Sequence, residues 1–321
     1  MDKSNIFKIG LDIGGTAVKA GAADGNGKIL AKASIETGAQ RPYMAIFRDV
    51  AAVARRVAAD AGIPWDNVSG VGVGVPGTVN SAAGEVVYAN NLPFRNAPIG
   101  SELFKILGKP IQIENDANAA GYGEYLFGAG RKYSSSLFVT LGTGVGGGIV
   151  VDGKIFSGFK SAGAEIGHMV IAHGGAPCTC GQRGCFEAYA SVTGLARLTA
   201  ETAAKYPDSL LAELVAERRK VGKDAGGKTA FDAAAGGDKA GAEVVGTYIE
   251  YLADGIVSVV NLIRPQAVII GGGVSAQGET LLAPLRKSCY AKVYGGTDYA
   301  PFDILTAQLG NDAGLLGAAF L

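Results

Sequence analysis

The sequence predicts an α/β protein built from two related halves, and three observations carry that expectation. Apolar strand-like runs alternate with segments of helical periodicity along the whole chain. Residues 7–30, FKIGLDIGGTAVKAGAADGNGKIL, and residues 137–156, LFVTLGTGVGGGIVVDGKIF, repeat one scheme about 130 residues apart. The 50 glycines of the 321 residues cluster where apolar runs end. Tight turns, or close approach of backbone to a ligand, require glycine at such places.

Each repeat reads as a three-stranded antiparallel meander whose first turn is glycine-rich and carries a threonine. After the first meander, MAIFRDVAAVARRVAADAG (44–62) has helical spacing, and VSGVGVGVPG (68–77) is a buried strand that runs into a loop. The stretch 78–100 reads as turns and SELFKILG as a short helix. KPIQIEND (109–116) is a strand ending in polar residues, and ANAAGYGEYLFGAG begins as a helix. Helices are predicted at 191–205, 208–220, 239–263 and 278–290, with strands at 267–273 and 302–307. AGLLGAAFL is a final apolar helix, and KVGKDAGGKTAFDAAAGGDKAG is a surface connection holding a short helix.

Apolar residues make up 48% of the chain, enough for about two domains at roughly 150 residues each. Lys+Arg and Asp+Glu balance at 29 each, which speaks against nucleic-acid and anionic-membrane partners. No stretch reaches the ~20 apolar residues of a spanning helix, and the N-terminus lacks an apolar signal core. A cytoplasmic location is expected. In that compartment clustered thiols serve as metal ligands or catalytic groups more often than as disulfides.

No GxxxxGK[ST] phosphate loop occurs. GxGxxG occurs at Gly72–Gly77 and Gly142–Gly147, but neither match opens a helix, so a nicotinamide oxidoreductase is disfavoured. Glycine-rich hairpin turns can still bind phosphate through exposed backbone N–H groups. Gly14-Gly15-Thr16 and the turn holding Thr143 are such turns, one in each half, able to grip a polyphosphate. Asp12 stands where a carboxylate would hold hydrated Mg²⁺. IENDAN (113–118) ends a strand on polar residues, at the sheet edge where α/β proteins bind ligands. There Asp116 reads either as a functional acid or as a helix N-cap, and Asn115 suits a hydroxyl-rich ligand.

Three of the four cysteines, Cys178, Cys180 and Cys185, fall within PCTCGQRGC. With one histidine they would make a closed Cys₃His zinc site, structural in kind. His168 and His173 are the two candidates, and spacing does not choose between them. Such a metal would fix the loop that carries Glu187. Cys289, isolated in a helix, reads as a small apolar residue.

DIGGT (12–16), END (114–116), GTGVGGG (142–148), AEIGH (164–168) with CTCGQRGCFE (178–187), and IIGGG (269–273) together resemble the ROK family of sugar kinases and repressors, its glucokinases above all. The resemblance implies the two-lobed actin/Hsp70/sugar-kinase (ribonuclease H-like) fold with a central cleft. A small lobe at 1–117 would be completed by a C-terminal helix at about 306–321. The large lobe would be 118–305, with the zinc loop 168–187. It implies ATP phosphates at Asp12, Gly14, Gly15, Thr16, Thr143 and Gly144, with Gly271 and Gly272 by the adenosine. It makes Asp116 the catalytic base, Asn115, Glu165, His168 and Glu187 sugar contacts, and Gly77 part of the sugar loop. It also makes His168 the fourth zinc ligand.

The activity implied is ATP-dependent phosphorylation of a hexose, glucose on its 6-hydroxyl, by a homodimer. Kinases for N-acetylglucosamine, N-acetylmannosamine, fructose or allose are the alternatives. A sugar-sensing repressor is the less favoured one, since DIGGT begins at Asp12 and leaves no room for a DNA-binding domain before it. Two departures from the family pattern stand out. Ala164 replaces the usual glycine, a change expected to matter little, and NLPFRN lacks the tryptophan many glucokinases carry.

Overall fold

In the first repeat β1 (Phe7–Ile13), β2 (Ala17–Asp24) and β3 (Ile29–Glu36) pair antiparallel in sequence order. β3 alternates between half-buried and exposed residues along its whole length, as an edge strand with one solvated face does. The computed structural model describes residues 6–321; the first five residues of the lobe expected at 1–117 lie outside the described residues. α1 (Tyr43–Asp60) buries Ile46, Phe47, Val50, Val53, Ala54 and Val57, a stripe at helical spacing that packs on β2 and β3. β4 (Val68–Val75) joins β1 in parallel and is buried over its last five residues.

The stretch 78–100, which the sequence presents as turns, contains a small antiparallel sheet. Its strands are β5 (Thr78–Asn80), β6 (Glu85–Tyr88) and β7 (Arg95–Ala97), each too short to show a period. α2 (Ile99–Leu107) ends at Gly108 in the left-handed conformation. β8 (Ile111–Asn115) completes the first large sheet in the order β3-β2-β1-β4-β8, and α3 (Asp116–Phe127) leaves directly from it.

The second repeat gives β9 (Ser136–Leu141), β10 (Val145–Val151) and β11 (Lys154–Ile155). α4 (Glu187–Ala190), α5 (Val192–Lys205), α6 (Leu210–Lys220), α7 (Thr229–Ala235) and α8 (Lys239–Ile263) follow. Ser191, Ser209 and Asp238 cap α5, α6 and α8 by accepting backbone N–H bonds. β12 (Ala267–Gly271), α9 (Glu279–Lys292), β13 (Asp303–Thr306) and α10 (Ala313–Ala319) close the chain. The second sheet runs β11-β10-β9-β12-β13. Its order matches the first: a meander, then two further strands beside the meander's first strand.

The chain forms two compact units. One comprises residues through Phe138, Gly148–Ala164 and Ala307–Leu321; the other comprises Val139–Gly147 and Glu165–Thr306. The first unit thus takes α3, which the sequence expectation gave to the other lobe. The cause is packing: α10 lies on α3, β1 and β4. A side chain at Gly10 or Gly72 would run into the backbone carbonyls of Leu315 or Ala318, and one at Gly317 into that of Ala119. These glycines admit a helix backbone, not a ligand.

Candidate active site

The parallel strands β1, β4 and β8 end together. Asp12 pairs with Gly74, Gly74 with Glu114 and Val75 with Asn115. At about 4.8 Å per strand, Asp12 and Glu114 stand about 10 Å apart along one carboxyl edge, where ligands of α/β sheets bind. Asp12 is a partly buried carboxylate with Lys19 Nζ at 3.7 Å. Burial raises its pKa above the ordinary value, and the Lys19 charge works in the opposite direction.

The Gly14-Gly15-Thr16 turn closes with Gly14 N donating to Ala17 O at 2.9 Å. A residue the sequence did not flag holds it from behind. Thr37, fully buried, donates from Oγ1 to Gly14 O at 2.6 Å, and its own N–H donates to Thr16 O at 3.0 Å. Asn91 lies against Gly15, so the NNLPF segment borders this turn. The segment's Phe94 is wholly buried with its ring 5.4 Å from Phe47, and it therefore serves the core.

At the end of β8 the cap is Asn115, whose Oδ1 accepts from Ala117 N at 2.9 Å and Asn118 N at 3.2 Å. Asp116 is the first residue of α3 and so does not act as the N-cap. Its own Oδ1 accepts from Ala117 N at 2.9 Å. Asn115 Nδ2 donates to Gly77 O at 3.2 Å, which leaves its second N–H for a ligand. Gly77 has φ +98°, and a Cβ there would strike Tyr88 O; only glycine fits.

In the second unit, Gly142 N donates to Gly144 O at 3.0 Å, and Thr143 O accepts from Thr193 Oγ1 at 3.0 Å. Glu187 Oε2 accepts from Val145 N at 3.0 Å, while Oε1 accepts from Thr179 Oγ1 at 3.2 Å. Glu187 therefore ties the glycine-threonine turn to the cysteine loop. Gly144 lacks the Cβ that would collide with that carboxylate. Gly272, one residue past Gly271 at the end of β12, packs on the Leu141 backbone just ahead of the same turn.

His168, Cys178, Cys180 and Cys185 bring their ligand atoms within 4.8 Å of one another. Among the described residues His173 has no place in this group. His168 Nδ1 lies 3.8 Å from Cys178 Sγ, and Cys180 Sγ lies 3.7 Å from Cys185 Sγ. Burial, reinforced by the neighbouring thiols, pushes the Cys185 thiol up to about 12. A cation would offset that by favouring the thiolate. Three sulfurs and one imidazole are a donor set that fits a tetrahedral zinc. Burial also raises Glu165, with the His168 charge opposing and the Glu187 charge adding.

Ala164 corrects an expectation. Its φ is +64°, and Lys160 and Ser161 just before it are also left-handed. A side chain in that region costs roughly 1–2 kcal/mol, so alanine in place of the family's glycine is not a neutral exchange.

Two sheets of one strand order, each with a glycine-threonine turn after its first strand, define an α/β protein of the actin-like sugar-kinase fold. The chain belongs to the ROK family, whose profile matches residues 8–321. It is similar to the glucokinase of Thermotoga maritima, 37% identical over 315 residues that cover 97% of this chain and 95% of that one. Among solved structures it is similar to a ROK family glucokinase from Streptomyces griseus in complex with glucose and AMPPNP. The TM-score is 0.80 at 35% identity, covering 98% of each chain. The ROK hexokinase from Thermus thermophilus gives a TM-score of 0.81 at 30% identity, covering 98% of this chain and 97% of that one.

Proposed function

We propose that the protein is an ATP-dependent glucokinase that transfers the γ-phosphoryl group to the 6-hydroxyl of glucose. The observation that carries this is the edge of β8. There Asn115 takes over the capping of α3, and Asp116 starts the helix beside it, on the sheet edge that also ends in Asp12. Asp116 would hold the hydroxyl in line and accept its proton as the bond forms. Base assistance of that kind is worth roughly 10²–10⁴-fold.

Phosphoryl transfer relies on positioning and charge stabilisation more than on covalent chemistry. The backbone N–H groups of Gly14, Gly15 and Gly144 and the hydroxyls of Thr16 and Thr143 are suited to phosphate oxygens, and Gly271 and Gly272 to the adenosine. Asp12 would hold Mg²⁺, whose charge neutralises phosphate oxygens when bound. Glu165, His168 and Glu187 would contact sugar hydroxyls, with Gly77 in the sugar loop. Zinc held by His168, Cys178, Cys180 and Cys185 would fix the tautomer of His168 and the loop before Glu187. A homodimer in the cytoplasm, acting on small molecules and not on nucleic acid or membrane, completes the proposal. No helix among the described residues is long and apolar enough to cross a membrane.

The test is a coupled ADP-release assay across a panel of hexoses. Release with glucose at the highest kcat/KM supports the assignment. Preference for an N-acetylated hexosamine would move the protein to another ROK kinase activity, and no release with any sugar would overturn it.

A further inference from the structure

We infer that Glu114 is a positioning residue that sets where Asp116 stands, acting through the residues on either side of it. Glu114 is 5% exposed, and both of its carboxylate oxygens are engaged. Oε1 accepts from Asn115 N at 2.9 Å and from Asn118 Nδ2 at 3.1 Å, so one oxygen brackets Asp116 in sequence. Oε2 accepts from Ser81 Oγ at 3.0 Å, in the turn between β5 and β6. Asn115 Nδ2 bonds Gly77 O just ahead of β5. The start of α3 is thus tied twice to the 77–81 segment, once through Asn115 and once through Glu114.

An open surface pocket of about 460 Å³ borders Glu114 and Ser81, with Tyr122 and Lys154 on its wall. The three hydrogen bonds fix where the buried carboxylate lies beside it. A carboxylate buried for structural reasons would need any three donors. Here two of the three sit on the residues that frame the proposed base, and the third belongs to the segment expected to border the sugar.

The inference rests on Asp116 as the base, and the test separates the two. Glu114→Asp keeps the charge but withdraws the acceptor by one carbon–carbon bond, about 1.5 Å. Glu114→Gln loses the charge but keeps an acceptor oxygen in place. Misplacement by about 1 Å costs on the order of 10²-fold in turnover. We therefore expect kcat to fall about 10²-fold in Glu114→Asp with the KM for ATP nearly unchanged, and to recover to within roughly threefold of wild type in Glu114→Gln. A folded Glu114→Asp with wild-type kcat, or the reverse order of the two variants, would overturn the inference. Where Glu114→Asp does not fold, Ser81→Ala carries the test. Loss of its bond to the buried carboxylate should lower kcat about tenfold, and unchanged kcat would overturn the inference. Asp116→Asn is measured alongside. If it turns over normally the base assignment fails and the inference with it; if it is inactive while Glu114→Asp is active, only the inference fails.

Discussion

Ala164→Gly should make the protein more stable, although glycine substitutions usually do the opposite. At φ +64° the Cβ of Ala164 crowds its own backbone, and removing it releases roughly 1–2 kcal/mol. The added freedom of glycine in the unfolded chain takes back about 0.4–1 kcal/mol. The balance is a gain of about 1 kcal/mol, or a rise in Tm of about 2–4 °C for a cooperative unit of 150–250 residues. Urea titration followed by circular dichroism, with a thermal melt beside it, measures this directly. Ala164→Val is the matched control, because a β-branched residue tolerates positive φ poorly; it should lose stability. If Ala164→Gly proves less stable than wild type, or both variants are neutral, the left-handed backbone before Glu165 is not a strained feature and the reasoning fails.

Two further outcomes follow from the site. Asp12→Asn should abolish kinase activity yet raise Tm at pH 7. The folded carboxyl has a raised pKa, so ionising it costs stability at every pH above that value. The advantage of the variant should shrink as pH falls through the raised pKa toward the ordinary 3.8; a pH-independent difference, or a less stable variant, would contradict this. Cys180→Ser should lower bound zinc as measured by elemental analysis, lower Tm and raise the KM for sugar, because the loop before Glu187 loses its anchor. A zinc-free preparation with unchanged melting and KM would refute that role.

Much of the fold was legible because it rests on local periodicity. The paired meanders, α1, α8 and the strand ending at Asn115 all announce themselves through apolar spacing and glycine turns. The small sheet at 78–97 was not legible, since three- and four-residue strands are too short to carry a period. At the site, the grouping of the three cysteines was readable from their spacing, with the resemblance choosing His168 as the histidine beside them. Thr37 and Glu114 were not readable. Their importance comes from partners such as Gly14 and Ser81, 23 and 33 residues away in sequence, and nothing in ETG or IEN predicts those meetings. Gly10 of β1 and Gly72 of β4 misled in kind, because what approaches them is α10. That Asn115 and not Asp116 caps α3 is decided only by the helix start at position 116.

In the proposed reaction one acid at the start of α3 accepts the sugar's proton, and measuring kcat and the Kd for glucose in Asp116→Asn tests this most directly. Kd should stay within a few-fold of wild type while kcat falls by at least about 10²-fold. Near-normal turnover in that variant would contradict it.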